Sequence, residues 1–480
     1  MSKLIRRTLA TTARTTAFVI CVVSSASAIG QTATSETSTH DDSDLRQQVI
    51  ELRALVGKLQ ARVDELEKHS QPQQAEATAS GLVTVAQPQQ SASQPPAANT
   101  RPASASSDFL HGTTINFLFD AYYEYNFNNP IGRVNLLRAY DVSSNAISLN
   151  QADLVIENAA DPAKEKRFGL RLDFQYGQAT QTLQGNPLNE PRPDIYRNIF
   201  QAYGTYVAPI GSGLTLDVGK FASSLGVEGN YTKDQMNYSR AYWFNFLPFY
   251  HMGLRANYKL NNVLALNYWL VNGTQQTEPF NGFKDQFFGL AIQPAKTITW
   301  NVNYYLGQEH PDVIFFPNGN VPPNLPTEQG LPFEPIVNAP SGKLHIFDTY
   351  ATWNTTPKLT LALEGDYVVE RLFTYSHPSM TAGGAAYARY QTSPKVAFAA
   401  RAEYLSDRGG LFTGLTQALK ETTFTTDYKL ADGFLLRGEW RRDFSNRPFF
   451  LTSNLGIFKK EQNTSTLGMV WWFGDKQGTW

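Results

Sequence analysis

The feature that most constrains the fold is a repeated alternation of apolar and polar side chains between residue 108 and the end of the chain. Successive side chains of a β-strand point to opposite faces, so each alternating segment predicts a strand with two unlike faces. The segment 167–176 sets one apolar face against one polar face: Phe168, Leu170, Leu172, Phe174 and Tyr176 against Arg167, Arg171, Asp173 and Gln175. About sixteen such segments occur, which predicts an all-β chain.

The connections between these segments favour one kind of β-structure. Alternation alone fits a water-soluble sandwich as well as a membrane barrel. Short turns are predicted near Asp161–Pro162, 209–213, 261–262, 294–295, 356–357, 393–394 and 431–433. Long polar connections, notably 177–195, 222–247, 307–341 and 445–463, lie between them. Short turns that alternate with long loops are typical of a transmembrane antiparallel β-barrel with an even strand number.

Aromatic residues and the lack of long apolar runs support the barrel. Phe, Trp and Tyr make up 13% of the chain and flank many segments, as in Trp471 and Trp472. Aromatic girdles mark the two lipid interfaces of such barrels. A membrane-spanning helix needs about 20 consecutive apolar residues, and the chain beyond its first segment has none. We therefore expect a barrel of about 16 strands in contact with outer-membrane lipid.

The first 28 residues read as a secretory signal peptide. A basic start with Lys3, Arg6 and Arg7 precedes an apolar run, and residues 26–28 form an Ala-Ser-Ala cleavage site. A retained membrane anchor is the alternative. The single cysteine, Cys21, lies inside this segment, so the processed chain is expected to have no disulfide and no cysteine metal site.

Three unlike regions are predicted between the signal peptide and the barrel at 108–480. Residues 29–43 are polar and predicted to be disordered, and residues 71–107 are a linker rich in Pro, Gln, Ala and Ser. Residues 44–70 predict a short coiled-coil helix, or else a lone amphipathic helix that packs elsewhere. Their heptad repeat has apolar residues at both core positions: Leu45, Leu52, Leu59 and Leu66, with Val49, Val56 and Val63.

Candidate pore residues lie in the third long connection and on the polar faces of the strands. Residues 222–247 contain Glu228, Lys233, Asp234 and Arg240, which would face one another if this loop folds into the barrel. Opposed charges at a constriction orient dipolar solutes, whereas one sign selects ions, so the mixture argues against strong charge selectivity.

The polar strand faces supply the predicted lumen wall. Its candidate residues are Arg171, Asp173, His251, Arg255, Glu364, Asp366, Arg437, Glu439 and Arg441. Each arginine has two open interpretations: contact with a solute, or pairing with a neighbouring carboxylate such as Asp173, Glu439 or Asp443.

Composition and motifs argue against several other functions. The formal net charge is -1, and no segment is basic enough to indicate nucleic-acid binding. The chain has no G-x-S-x-G elbow, no H-E-x-x-H and no P-loop. We therefore expect neither an enzyme nor a bound cofactor or metal ion.

Five stretches of the barrel region resemble one known family. They are residues 201–220 (QAYGTYVAPIGSGLTLDVGK), 237–240 (NYSR), 248–251 (PFYH), 253–255 (GLR) and 470–480 (VWWFGDKQGTW). In these stretches the chain is similar to the OmpL-like β-barrel porins, and the likeness covers most of residues 108–480. The resemblance implies an outer-membrane channel of a Gram-negative-type bacterium, and it names no solute.

These observations together predict a porin that passes small hydrophilic solutes or ions by passive diffusion. We expect a homo-trimer whose N-terminal coiled coil lies in the periplasm, where it could contact the cell wall. The alternative is a structural barrel or adhesin that the coiled coil tethers to the cell wall.

Overall fold

The computed structural model describes residues 112–184, 190, 192–310, 313–315, 335–338, 342–371, 377–476 and 478–480. The predicted signal peptide, the disordered segment 29–43, the coiled coil at 44–70 and the linker at 71–107 lie outside the described residues. In the described part, no helix is long and apolar enough to cross a membrane.

Sixteen antiparallel strands form one closed barrel. They are β1 (Thr114–Asn126), β2 (Ala146–Asn158), β3 (Phe168–Tyr176), β4 (Ile199–Ala208), β5 (Leu214–Ala222), β6 (Tyr250–Lys259), β7 (Leu264–Val271), β8 (Asp285–Ala295), β9 (Ile298–Gly307), β10 (Leu344–Thr356), β11 (Leu359–Glu370), β12 (Ser379–Gln391), β13 (Val396–Arg408), β14 (Gln417–Ala431), β15 (Phe434–Ser445) and β16 (Glu461–Gly474). Each strand pairs with its sequence neighbour, and β1 pairs with β16, where Asn116 lies opposite Gly474. The predicted fold class and strand number are confirmed.

The alternation in the sequence becomes an apolar outer face and a polar inner face. On β11, Leu363 and Tyr367 point outward and are 64% and 41% exposed, while Glu364 and Asp366 point inward and are buried. Most strands carry large exposed apolar side chains in the same outward register. A water-soluble protein rarely exposes so large an apolar surface, whereas a barrel in lipid requires it.

The two rims of the barrel differ in the length of their connections. At one rim, short turns connect each even-numbered strand to the next odd-numbered strand, from β2–β3 to β14–β15, as predicted. The turn between β8 and β9 falls at residues 296–297, directly after the predicted Pro294–Ala295. The other rim carries the long connections, which contain α1 (Gln178–Gln184), α2 (Pro193–Tyr196) and α3 (Tyr242–Phe246). The ends of β1 and β16 that lie beside the chain termini share the short-turn rim.

Smaller elements complete the long-loop rim. Two short ribbons pair there: Val313–Phe315 with Pro335–Asn338, and Phe450–Leu451 with Phe458–Lys459. Single 3-10 turns form at Ile131–Arg133, Pro162–Lys164 and Thr232–Asp234, of which Pro162–Lys164 belongs to a short turn.

One register irregularity changes which side chains reach the lumen. The pairing of β1 and β2 shifts between Asp120 and Ala121, where Asp120 pairs with Gln151 and Ala121 pairs with Leu149. The extra residue lets both Asn150 and Gln151 be buried on the inner side, although they are neighbours in sequence. Gln151 thereby becomes available to a loop inside the barrel.

Candidate functional site: the barrel lumen

The third long connection, residues 223–249 and hereafter loop 3, folds into the barrel. It leaves β5 and contacts strands on opposite sides of the lumen, including β2 and β10. Tyr238 Oη donates to Asp120 Oδ1 on β1 at 2.9 Å, and the Thr232 amide donates to Gln151 Oε1 on β2 at 3.0 Å. On β10, Asp348 Oδ1 accepts from the Gly226 amide at 3.0 Å. Loop 3 therefore crosses the lumen and narrows it.

Wall carboxylates hold the amide groups of loop 3. Glu439 accepts from the Tyr238 amide at 2.6 Å and the Ser239 amide at 2.9 Å. Glu403 accepts from the amides of Tyr242 and Trp243, at 2.8 and 3.0 Å, in the first turn of α3. A buried loop must satisfy every backbone donor, and ionised acceptors form the stronger hydrogen bonds.

Wall arginines hold the carbonyl groups of the same loop. Arg437 donates to the carbonyl oxygens of Thr232, Gln235 and Asn237 at 2.9 to 3.1 Å. Arg441 and Arg401 add one carbonyl each: Arg240 at 2.6 Å and Ser239 at 2.8 Å. One guanidinium carries several donors in a fixed plane, so it can satisfy several loop carbonyls at once.

Two of the predicted loop residues stabilise the loop itself. Glu228 accepts from the Ala241 amide and from Arg401, both at 2.7 Å. Arg240 is fully buried and donates to the carbonyls of Gly229 at 3.1 Å and Tyr238 at 2.8 Å. Its guanidinium lies 4.5 Å from the centre of the Tyr140 ring. These side chains organise the loop instead of presenting free charge to a solute.

The other two predicted loop residues, Lys233 and Asp234, contact the last residues of the chain. Lys233 Nζ lies 2.8 Å from Asp234 Oδ1 and 2.7 Å from the Gly478 carbonyl oxygen, and 4.4 Å from the centre of the Trp480 ring. Burial lowers the pKa of Lys233 below its ordinary value, although Asp234 opposes that shift. The chain end after β16 therefore lies against the tip of loop 3.

Each predicted wall arginine is paired with a carboxylate of the wall. Arg171 Nε lies 3.0 Å from Asp173 Oδ1, and Arg441 Nε lies 2.9 Å from Asp443 Oδ1. The remaining two bind partners that the sequence did not indicate: Arg255 contacts Asp217 at 2.8 Å, and Arg437 contacts Asp427 at 2.7 Å. Pairing is thus the interpretation that the geometry supports for all four.

His251 lies on the wall and is fully buried. Its Nδ1 lies 3.1 Å from the Gly273 carbonyl oxygen, and its ring centre is 5.3 Å from those of Trp269 and Tyr305. The side chain belongs to an aromatic cluster on the inner side of β5 to β9, where Trp269 stacks on Phe287 with ring centres 3.8 Å apart. A solute in the lumen would not reach it.

The predicted wall residues Glu364 and Asp366 come together with Asp348 of β10. One carboxylate oxygen from each lies within 4.8 Å of the other two. No described ion pair includes any of the three.

A cavity of about 430 Å³ opens near the short-turn rim. It is bounded by the turn residues Pro162 and Ser212 and by the inner faces of β2 to β5. Its charged lining includes Glu157, Arg171 and Asp217. This part of the lumen offers polar and charged groups to water.

The structure adds wall residues that the sequence interpretation missed. Arg401, Glu403 and Glu421 lie on the inner faces of β13 and β14, where Arg401 Nε contacts Glu421 Oε2 at 3.1 Å. Their signal was present, because Arg401 and Glu403 share one parity of an alternating segment. Alternation identifies the face but not the partner, since loop 3 is more than 150 residues away in sequence.

Carboxylates outnumber bases among the buried side chains of the described strands. The fifteen buried carboxylates are Asp120, Glu124, Asp153, Asp173, Asp217, Asp285, Asp348, Glu364, Asp366, Glu403, Asp407, Glu421, Asp427, Glu439 and Asp443. The five buried lysines and arginines on the same strands are Arg171, Lys220, Arg401, Arg437 and Arg441. Carboxyl groups thus outnumber lysines and arginines among the buried side chains of the described strands.

A closed sixteen-stranded barrel with an apolar outer face and a loop folded across a polar lumen defines the porin class. The family model described as "Putative beta-barrel porin-2, OmpL-like" matches residues 112–473. The chain belongs to this family, as its sequence resemblance indicated, and it is an outer-membrane porin.

The chain is also similar to several solved porins, at low sequence identity. An anion-selective porin from Comamonas acidovorans matches with a TM-score of 0.48 and 8% identity, over 75% of this chain and 99% of that one. The outer-membrane channel DcaP of Acinetobacter baumannii matches with a TM-score of 0.47 and 8% identity, over 75% and 97%. OmpT of Vibrio cholerae matches with a TM-score of 0.45 and 8% identity, over 75% and 97%. No curated protein matches the chain.

Proposed function

We propose that the lumen passes small hydrophilic solutes by diffusion and prefers cations. The protein acts as a channel and not as an enzyme. The observation on which the preference rests is that the buried strand residues include fifteen carboxyl groups but five lysines and arginines. A wall dominated by one sign of charge attracts ions of the other sign and repels its own. The mixed charges of loop 3 alone suggested weak selectivity, but these charges are largely paired within the loop and its anchors.

The test is the reversal potential of single channels in a planar bilayer under a KCl gradient. Stable openings with a potential that favours K⁺ over Cl⁻ are the expected result. A potential that favours Cl⁻ would contradict the cation preference and leave the channel intact. If protein with a full β-sheet circular dichroism spectrum shows no channel openings, the result would contradict diffusion through the lumen and favour the structural barrel.

We also propose the orientation that the connections favour. Long loops would face the cell exterior and short turns the periplasm, as is usual for such barrels. The chain enters β1 and leaves β16 on the short-turn rim, which supports a periplasmic position for residues 29–107. Contact of the coiled coil at 44–70 with the cell wall remains compatible with the porin function, whereas a purely structural barrel is not favoured by the family.

A patch of small residues on the outer face supports self-association. Gly365 of β11 lies opposite Gly384 of β12, and Ala386 of β12 lies opposite Ala402 of β13. All four point outward, on the side opposite the buried Glu364 and its neighbours. Small side chains let two membrane-embedded surfaces approach closely. We propose that this face forms the protomer contact of the expected homo-trimer.

Light scattering of the detergent-solubilised protein tests the trimer. We expect a mass of three protomers for the natural chain and a smaller assembly for Ala386→Trp, because the indole would separate the two surfaces. Leu467→Trp on β16 is the control, since Leu467 also points outward and lies far from the patch. A monomeric natural chain, or equal assembly of both variants, would contradict the proposal.

A further inference from the structure

Three carboxylates converge on the inner wall where loop 3 begins. Asp348 of β10 and Asp366 of β11 are direct partners in the strand register, and Glu364 lies two residues before Asp366 on the same face. Their exposed fractions are 2%, 5% and 8%. One oxygen from each lies within 4.8 Å of the others. Like charges directly opposite each other in a ladder destabilise the sheet, so this arrangement needs compensation.

The donors around the group are all neutral. Asp348 accepts from the Gly226 amide at 3.0 Å and from Asn303 Nδ2 at 2.6 Å. Glu364 accepts from the Val227 amide at 3.3 Å and from Tyr387 Oη at 3.1 Å. These four neutral donors supply no positive charge to balance the negative charge of three ionised carboxylates.

Arg401, a base on this part of the wall, already forms ion pairs with two other carboxylates. Arg401 contacts Glu228 at 2.7 Å and Glu421 at 3.1 Å. None of the ion pairs among the described residues includes a member of the group. Positive charge must therefore come from outside this set of residues if all three carboxylates are ionised.

Asp366 supplies the observation that points to a ligand. Its side chain is buried, and neither carboxylate oxygen accepts a hydrogen bond from an N–H or O–H donor of the described residues; its polar neighbour is the carboxyl group of Asp348. Leaving an ionised group buried without a partner costs several kcal/mol. Its neighbour on β12 is Gly383, which has no side chain to donate to it. An oxygen of Asp366 thus lies within 4.8 Å of oxygens of Asp348 and Glu364, and no N–H donor of the described residues occupies it.

We propose that Asp348, Glu364 and Asp366 bind one Ca²⁺ ion. Calcium takes oxygen ligands at about 2.3–2.6 Å, so two oxygens on one ion lie up to roughly 5 Å apart, which the group satisfies. Its tolerance of irregular coordination suits three side chains on two strands better than the strict octahedron of Mg²⁺ does. Asp348 and Glu364 also hold Gly226 and Val227, so the ion fixes the beginning of loop 3 to the wall. The site does not depend on the proposed cation preference of the pore.

Calcium titration of the chelator-treated, detergent-solubilised protein tests the site. Isothermal calorimetry in excess KCl suppresses weak attraction to the rest of the wall. We expect saturable binding of one Ca²⁺ per chain, weakened about tenfold or more by Asp366→Asn, because a carboxylate ligand is lost. Asp153→Asn is the matched control, since Asp153 is a buried wall aspartate on β2, and it should bind as the natural chain does.

The thermal unfolding temperature is a second measurement, which tests the site even if the heat of Ca²⁺ binding is too small for calorimetry. In chelator, Asp366→Asn should unfold at a higher temperature than the natural chain, because it removes an unbalanced buried charge. In millimolar Ca²⁺ the order should reverse, since only the natural chain gains the bound ion. If Asp366→Asn does not fold, Glu364→Gln takes its place with the same expected reversal.

Three results would overturn the site. They are the absence of saturable Ca²⁺ binding, unchanged affinity in both Asp366→Asn and Glu364→Gln, and an equal loss of affinity in Asp153→Asn. Displacement of Ca²⁺ by an equal concentration of Mg²⁺ would overturn the choice of calcium.

Discussion

At the scale of single residues, the charges of the inner wall serve the loop that crosses the lumen. Glu439, Glu403 and Arg437 each contact two or more backbone groups of loop 3. A loop buried in this way cannot bond its amides and carbonyls to water, so the wall must provide the partners. The polar inner face therefore has a structural task as well as contact with solutes.

The first residue-scale prediction concerns Glu439→Gln. A neutral amide accepts more weakly from the Tyr238 and Ser239 amides, and hydrogen bonds to charged groups contribute about 1.5–3 kcal/mol each. We expect the free energy of unfolding in urea to fall by about 2 kcal/mol and the single-channel current to fluctuate as loop 3 loosens. Glu461→Gln is the control, because Glu461 forms a half-exposed pair with Arg442. Steady current and unchanged stability in Glu439→Gln would contradict the anchoring role.

The second prediction concerns the pH dependence that Lys233 confers. Burial lowers the pKa of Lys233, so this ammonium loses its proton at a lower pH than an ordinary lysine. Loss of a positive charge makes the lumen more negative. The cation preference should therefore increase with rising pH, at pH values below the usual lysine value of about 10.4.

Reversal potentials measured across this range check the prediction. Lys233→Met should show the high-pH preference throughout and a flatter profile. Lys395→Met changes an exposed lysine in the short turn between β12 and β13, and it should keep the natural profile. Identical profiles for all three chains would contradict the prediction that Lys233 changes the ion selectivity with pH.

At the scale of elements, each strand is specified by its alternation, and its position in lipid follows from the outward face. On β11 the outward residues are apolar, and the inward residues include Glu364 and Asp366. The prediction of both faces from the sequence is confirmed for this strand and for β3. Strand ends were also predicted closely, because Pro and Asn-rich turns interrupt the alternation.

The element-scale prediction concerns Leu467→Arg on β16, away from the proposed protomer contact. Leu467 points outward and is 58% exposed on the surface that faces lipid. An arginine near the middle of the lipid-facing surface costs about 2–4 kcal/mol, so the free energy of unfolding from lipid vesicles should fall by that amount. Leu467→Ala separates this charge effect from the loss of the leucine side chain and should cost less. Equal stability of the two variants would show that this face does not lie in lipid.

At the scale of the whole molecule, β1 pairs with β16, so strands between residues 114 and 474 form the closed barrel. The predicted coiled coil at 44–70 lies outside these strands. We therefore expect a chain without residues 44–70 to insert and to show the natural single-channel conductance.

Pull-down with purified cell wall provides the complementary measurement for the same deletion. The natural chain should be retained and the shortened chain released, if the coiled coil contacts the cell wall. The control is a chain that lacks the linker residues 71–107 and keeps residues 44–70, and it should still be retained. Retention of the chain that lacks residues 44–70 would contradict the proposed contact.

The amino-acid sequence alone was enough to predict the strand faces, the approximate strand number, the alternation of short and long connections and the family. These properties are local, since each depends on periodicity or on turn residues within a few positions. The tertiary structure was needed to show that loop 3 lies against the far wall, that Arg437 pairs with Asp427, and that Asp348, Glu364 and Asp366 converge. Such contacts depend on how sixteen strands close around one lumen. A sequence pattern that repeats every second residue gives no information about which side chains meet across that lumen.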